Sequence, residues 1–249
     1  MKISGNTILV TGGATGIGFG LAEALLNAGN IVLICGRRQA MLEEAQEKLS
    51  GLQVHRCDIT TSDGRESLFR WVKDEHPDLN ILINNAGVAG RIDFKNGIPE
   101  VLKSEKVIDT NFKAPVLLSG YFIPLLLEKE EAAIVNISSG LAFVPQVASP
   151  LYGATKAGLH SFSLALRHQL KDTAIRVFEL MPPICDTDLG KDADDYSAPA
   201  LKGIPPAEFA RDALVALQND DYEFASGEAR QLREGSRQDF KATFDAINQ

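Results

Sequence analysis

The stretch Thr7-Ile8-Leu9-Val10-Thr11-Gly12-Gly13-Ala14-Thr15-Gly16-Ile17-Gly18 passes from a short apolar run into a glycine-rich turn. The run at 7–10 reads as a strand buried on both faces. The turn opens a helix expected over about 16–28, with Ile17, Leu21, Ala24 and Leu25 on one face and Gly29-Asn30 as its stop. Glycines at 12, 16 and 18 give a GxxxGxG spacing. Such a turn lets backbone approach a pyrophosphate without Cβ obstruction and aims a helix N-terminus at the negative charge.

The same alternation continues along the chain. Further strands are expected at about 31–35, 52–57, 81–83, 133–137, 175–180 and 222–224. Helices are expected at about 41–49, 62–76, 101–128, 151–170, 206–218 and beyond 228. Ser62 or Asp63 would cap the helix at 62–76, with Pro77 beyond its end. Short apolar strands alternating with helices demand a parallel sheet covered on both faces. The expected fold is therefore α/β: one Rossmann-type doubly wound domain over 1–249, with a seven-stranded parallel sheet. An irregular segment at about 184–205, carrying Asp186, Asp188, Asp192, Asp194 and Asp195, reads as a lid or a solvated loop. A helical tail is expected at about 228–247.

Composition narrows the function classes. The 249 residues are 45% hydrophobic and 23% charged, which excludes disordered and low-complexity chains. A net charge of −8 disfavours nucleic acid and anionic membrane as partners. No apolar run approaches the ~20 residues that cross a bilayer, and the N-terminus does not resemble a signal peptide, so the expected location is the cytoplasm. Cys35, Cys57 and Cys185 are expected to be buried, reduced thiols. Neither they nor the four histidines have ligand spacing, and no metal is expected.

Four local patterns carry chemistry. The glycine turn follows a strand and opens a helix, the context that makes it a nucleotide site. At the end of the second strand, Gly36-Arg37-Arg38 offers two guanidinium groups and no carboxylate. That composition suits a 2′-phosphate, and so NADP(H) rather than NAD(H), with NAD(H) still possible. Tyr152 and Lys156 stand four apart on an expected helix and share a face. A phenol with a pKa near 10 becomes usable for proton transfer when positive charge beside it stabilises tyrosinate. Ser139 ends the fifth strand, so Gly12, Asn85, Ser139 and Pro182 would all line one crevice at strand carboxyl ends.

Together these residues resemble the short-chain dehydrogenase/reductase family. The resemblance rests on Thr11-Gly12-xxx-Gly16-Ile17-Gly18, Asp58, Asn84-Asn85-Ala86-Gly87, Asn111, Ser139 and Tyr152-xxx-Lys156, and extends from Thr7 to about Thr187. It implies an oxidoreductase transferring hydride between a nicotinamide and a carbonyl or secondary-alcohol substrate. Tyr152 would be the general acid and base, and Lys156 would lower its pKa and bind the nicotinamide ribose. Ser139 would hold the substrate oxygen, and Asn111 would support a water that relays protons. The resemblance assigns Gly12, Thr15, Gly16, Ile17 and Gly18 to the pyrophosphate turn. It places Asp58 and Ile59 by the adenine, and Asn85, Ala86 and Gly87 along the adenosine ribose. Pro182, Ile184 and Thr187 would contact the nicotinamide side.

One departure stands out. The family commonly carries Pro-Gly after the sixth strand, whereas this chain has Pro182-Pro183. Pro183 has no N–H to give, so backbone at Ile184 or Cys185 is expected to serve instead. Expected substrate walls are Val88 to Arg91, Leu141 to Val144 with Leu151, and the 186–205 loop, making an apolar pocket for a small molecule. The pattern CGRR, NNAG and PPxxDTDL resembles one bacterial branch of the family. The competing class is a non-catalytic NADP(H)-binding sensor or scaffold on the same fold, which would have no need of Tyr152 or Lys156. Family members usually pair through the two long helices, so a homodimer or homotetramer is expected. Leu117, Leu118, Ile123, Leu159, Phe162 and Leu166 fit either the sheet or a partner.

Overall fold

The computed structural model describes residues 1–189 and 203–249. Its strands are β1 (Thr7–Thr11), β2 (Ile31–Gly36), β3 (Gln53–Arg56), β4 (Ile81–Asn84), β5 (Ala132–Ile137), β6 (Ile175–Met181) and β7 (Glu223–Ala225). Its helices are α1 (Gly16–Asn27), α2 (Gln39–Lys48), α3 (Ser62–Glu75), α4 (Ile98–Lys103), α5 (Glu105–Ile108), α6 (Ala114–Leu126), α7 (Pro150–Gln169), α8 (Pro206–Gln218), α9 (Gly227–Gln238) and α10 (Phe240–Ile247). All seven strands form one parallel sheet in the order β3-β2-β1-β4-β5-β6-β7. The expected α/β doubly wound class is therefore the observed one.

Strand periodicity sets the two layers of the core. Ile8, Val10, Val32 and Ile34 point to one face and pack with Leu21 and Leu25 of α1 and Phe209 and Ala213 of α8. Leu9, Leu33, Leu82 and Ile134 point to the other and pack with Leu68 of α3, Leu118 and Phe122 of α6 and Leu166 of α7. The chain reverses its winding direction between β1 and β4, so the crevice opens at their carboxyl ends.

Three expectations need correction. The helix expected at 101–128 is broken into α4, α5, a five-residue π-helical turn over Asp109–Lys113, and α6. The Ala114 N–H reaches the Asp109 carbonyl there. Pro115, four residues after Asn111, has no N–H for the Asn111 carbonyl, and its ring would crowd that oxygen in a regular helix. The cap of α3 is Thr61, not Ser62 or Asp63: its hydroxyl accepts the Gly64 N–H at 3.1 Å. Finally, Cys35 and Cys57 are buried, but Cys185 is only half-buried. Of the expected 184–205 segment, residues 190–202, with Asp192, Asp194 and Asp195, lie outside the described residues.

The long-helix side chains divide cleanly. Leu118, Leu159 and Leu166 are buried, Ile123 and Phe162 pack partly against the core, and Leu117 is exposed.

Candidate active site

The site is built from strand ends upward. Gly12 has φ +64°, and a Cβ there would lie 2.9 Å from the Ala86 Cα. At Gly18 a Cβ would lie 2.3 Å from the Gly12 carbonyl oxygen and 2.4 Å from Asn85 Nδ2. The turn between β1 and α1 thus closes tightly on the segment after β4. Asn85 fastens the two, its side-chain amide donating to the Thr11 and Gly12 carbonyls at 2.9 and 3.2 Å. The Thr11 hydroxyl accepts the Asn85 and Ala86 N–H groups, each at 3.0 Å. Thr15 precedes α1 with extended backbone and makes no side-chain cap, so the first amides of α1 are not capped from within that residue.

Around this turn lie the other expected nucleotide residues. Arg37 and Arg38 are exposed at the end of β2, and the Arg56 guanidinium donates to the Arg37 carbonyl at 3.2 Å. Asp58 Oδ1 accepts from the Thr60 N–H at 2.9 Å and the Thr60 hydroxyl at 2.7 Å, which fixes its loop. Ile59 is buried beside it. Thr187 approaches Gly16 so closely that a Cβ on Gly16 would meet its methyl at 3.1 Å.

The second half of the site gathers β4, β5 and α7. Asn111 is fully buried in the π turn. Its Oδ1 accepts the Val88 N–H and its Nδ2 donates to the Val88 carbonyl, both at 2.8 Å, and Nδ2 also reaches the Thr155 hydroxyl at 3.3 Å. This holds the chain after Gly87 against α7. Lys156 is buried, and its Nζ donates to the Ile137 carbonyl at 2.8 Å. The same ammonium stands 5.6 Å from the centre of the Tyr152 ring. Burial pushes it down to about 8, with the Glu179 charge pulling the other way. A Cβ on Gly87 would lie 3.6 Å from Asn111 Oδ1 and 3.8 Å from Lys156 Nζ, so Gly87, Asn111 and Lys156 converge. Ser139, half-buried, caps the short turn Gly140–Ala142 by accepting the Leu141 N–H at 3.1 Å. That contact uses a lone pair and leaves the Ser139 hydroxyl proton for another acceptor.

The loop after β6 differs from expectation in detail. Pro183 packs on Gly227, where a Cβ would meet its ring carbon at 2.8 Å. The Ile184 N–H faces Glu228 Oε2 at 3.4 Å, and its carbonyl accepts from Ile204 at 3.0 Å. The backbone expected to replace the missing glycine donor is therefore partly engaged within the protein. The expected substrate walls also need trimming. Val144 is fully buried, and Phe143 turns onto His160, with ring centres 4.7 Å apart. Leu141 and Leu151 stay half-buried, and Arg91 is exposed.

Several contributors were not anticipated. Thr11 and Thr155 hold the asparagines in place, and Arg56 adds a third guanidinium near Arg37. Under the site a buried amide chain runs from Asn84 to Asn136 at 2.9 Å and on to Ser163 at 2.8 Å. Ser138 and Glu179 pair beneath Ser139, and His160 closes that group. The signal for Glu179 was a carboxylate inside a strand whose residues, Arg176 apart, are otherwise apolar.

A doubly wound parallel sheet with a glycine turn at its switch point, and a tyrosine–lysine pair on an adjacent helix, defines a Rossmann-type oxidoreductase architecture. Residues 6–197 match the family model described as short chain dehydrogenase. The chain belongs to the short-chain dehydrogenase family and is an oxidoreductase of it. It is 44% identical over 248 residues to the uncharacterized oxidoreductase DltE of Bacillus subtilis, covering 100% of this chain and 98% of that protein. It is 33% identical over 176 residues to the NADP-dependent 3-hydroxy acid dehydrogenase YdfG of Escherichia coli K12, covering 70% of this chain and 71% of that protein. A short chain dehydrogenase from Burkholderia cenocepacia, solved in complex with NADP, superposes with a TM-score of 0.83 at 26% identity, covering 99% of each chain. Among the described residues no helix is long and apolar enough to cross a membrane.

Proposed function

We propose that this chain is an NADP(H)-dependent oxidoreductase that interconverts a small carbonyl compound and its secondary alcohol, with Tyr152 as general acid and base. The observation that carries the reading is Lys156: a buried ammonium, anchored on the Ile137 carbonyl and 5.6 Å from the Tyr152 ring centre. A buried cation beside a phenol has a chemical use and a desolvation cost, and an accidental surface pair has neither.

The residues fit a dinucleotide. The α1 N-terminus is uncapped by Thr15, and Arg37 and Arg38, exposed just after β2 with no carboxylate in Gly36-Arg37-Arg38, are the residues that would receive a 2′-phosphate. In this reading Gly12, Thr15, Gly16, Ile17 and Gly18 hold the pyrophosphate, and Asp58 and Ile59 flank the adenine. Asn85, Ala86 and Gly87 follow the adenosine ribose, Lys156 takes the nicotinamide ribose, and Pro182, Ile184 and Thr187 meet the carboxamide side. NADP(H) is the preferred cofactor and NAD(H) a possible one. The NADP named for YdfG and for the Burkholderia structure supports that preference.

The nicotinamide supplies, when bound, the two-electron redox chemistry. The protein handles orientation and protons. The Ser139 hydroxyl, oriented by the Leu141 N–H, donates to the substrate oxygen where negative charge grows. Tyr152 gives its proton to that oxygen in reduction and removes it in oxidation. The Lys156 charge makes the tyrosinate less costly, and Asn111 fixes the wall between Val88 and α7. We take residues 1–249 as one domain, since one sheet receives every strand of the described residues, and the exposed Leu117 and Leu164 as parts of a homo-oligomer contact; the cytoplasm is the location we propose for it.

The test is titration of wild type and Arg37→Ala with NADPH and NADH by cofactor fluorescence. NADPH should bind at least about tenfold tighter, and Arg37→Ala should remove about 1.4 kcal/mol or more of that preference. Tyr152→Phe should bind NADPH normally yet turn over no member of a ketone, aldehyde and 3-oxo acid panel that the wild type reduces. Equal turnover by Tyr152→Phe would sink the assignment.

A further inference from the structure

Glu179 has no role in the reaction as derived above. It is fully buried in β6, between Phe178 and Leu180, which are themselves fully buried. Its side chain shares a strand face with Val177, the face that packs on α7. Removing a carboxylate from water costs several kcal/mol unless partners compensate. Two partners are in contact. The Ser138 hydroxyl donates to Oε1. His160 Nδ1 stands 2.7 Å from Oε2. The Lys156 ammonium, one helical turn before His160, does not touch the carboxylate: it sits on the carbonyl of Ile137, the residue before Ser138, near enough for the Glu179 charge to favour its protonated form.

Three consecutive residues at the end of β5 therefore face three tasks. The Ile137 carbonyl receives Lys156, the Ser138 hydroxyl reaches Glu179, and Ser139 faces the crevice. On α7, Tyr152, Lys156 and His160 recur every four residues along one face. Glu179 touches the β5 end and that face of α7 at once.

We propose that Glu179 is a positioning residue: its buried carboxylate is the counter-charge of the Lys156 ammonium and ties the β5 end that carries Ser139 to the helix that carries Tyr152. The role rests on the reading of Tyr152 and Lys156 as the proton-handling pair. His160 is the titratable group that touches Glu179 directly, and the remaining charges on the packed elements have partners of their own or are exposed. Glu223, the register partner of Glu179 on β7, is held by Arg167 at 2.7 Å and Arg233 at 2.8 Å. On the π turn Asp109 pairs with Lys113 at 3.0 Å, and Glu105 and Lys106 of α5 are exposed.

The sign is unambiguous. Taking a negative charge away from Lys156 and Tyr152 makes both release protons more readily. Glu179→Gln keeps the shape and the acceptor for Ser138 but loses the charge. The test follows Lys156 directly, on full-length protein carrying lysine labelled with ¹³C at Cε, its signal assigned by loss in Lys156→Arg. The Lys156 titration midpoint should fall by about one pH unit in Glu179→Gln, a tenfold loss of proton affinity, and stay near wild type in Glu179→Asp. With a carbonyl that the wild type reduces, the basic limb of the reduction profile should fall with it. A purely structural residue would lower the rate and leave both midpoints in place.

An unmoved Lys156 midpoint in folded Glu179→Gln overturns the proposal. So does a protonated Glu179 side chain at pH 7, read from its ¹³C carboxyl shift in wild type, a measurement that no variant needs to survive. The two readings fail separately: a shifted midpoint in a protein that reduces no carbonyl overturns the reaction and upholds the counter-charge.

Discussion

One substitution, glycine to alanine, should have opposite signs at Gly18 and Gly120. Gly18 lies in the first turn of α1, and its added Cβ would sit 2.3 Å from the Gly12 carbonyl oxygen and 2.4 Å from Asn85 Nδ2. Non-bonded heavy atoms rest about 3.5–4.0 Å apart, so something must move by more than an ångström. Neither neighbour is the free end of a flexible chain: one is backbone, and the other bridges the Thr11 and Gly12 carbonyls. Overpacking of this kind costs about 1–3 kcal/mol, and losing an Asn85 hydrogen bond adds about 1 kcal/mol. The gain in helix propensity returns about 1 kcal/mol. The net loss for Gly18→Ala is about 2 kcal/mol, a fall in Tm of about 4–8 °C for a chain of this length. Gly120 is exposed within α6, and nothing lies within 4 Å of its added Cβ. Gly120→Ala should stabilise by about 0.5–1 kcal/mol through the unfolded chain. Thermal unfolding followed by circular dichroism at one protein concentration, with urea midpoints alongside, reads both. NADPH binding should collapse in Gly18→Ala and survive in Gly120→Ala. A Gly18→Ala protein as stable as wild type would refute the reading of this turn.

Burial holds the Lys156 ammonium at about 8 against 10.5 when free, so between those values the unfolded chain binds more protons and stability rises with pH. Relative to Lys156→Met, the wild type should gain on the order of 3 kcal/mol across that window, and urea midpoints that keep a constant gap would contradict it. Thr61→Ala should lose the α3 cap and about 1 kcal/mol, whereas Ser62→Ala should stay within about 0.5 kcal/mol; equal effects in thermal melts would restore Ser62 as the cap. Asn111→Ala strands the Val88 N–H and carbonyl and should cost about 2 kcal/mol, with hydrogen exchange accelerating at Val88 as the local readout.

The strands were legible because a parallel sheet buries both faces, so each strand is a short apolar run between turn residues. That Gly12, Asn85, Ser139 and Pro182 come to one edge was legible because they follow strands of a parallel sheet, whereas Tyr152 and Lys156 share a face through their four-residue spacing on α7. Helix boundaries inside 98–128 were not. Ile98 through Leu127 carries apolar residues throughout, and Pro115 at a helix start looks innocent. Its effect falls four residues earlier, on the Asn111 carbonyl, which composition does not reveal. The α3 cap failed for a related reason: Thr61, Ser62 and Asp63 are all competent caps, and only backbone geometry chooses among them.

Glu179 shows where a pattern argument ends and an electrostatic one begins. The run Ile175-Arg176-Val177-Phe178-Glu179-Leu180 carries two charges that look alike on paper. Arg176 enters the sheet at the amino end of β6, keeps 28% of its side chain in solvent and pairs with Glu131 and Asp220. Glu179 enters three residues later at the carboxyl end, where the crevice lies, and is fully buried. The physical difference is the neighbour. Arg176 meets surface carboxylates whose screened attraction is worth little. Glu179 meets a hydroxyl from the end of β5 and an imidazole from α7, the helix that also carries the buried Lys156 ammonium, elements far apart in sequence that the fold brings together. A carboxylate at that depth destabilises the fold unless its partners are present, so the stability of the core depends on Ser138 and His160 holding Glu179 where β5 meets α7.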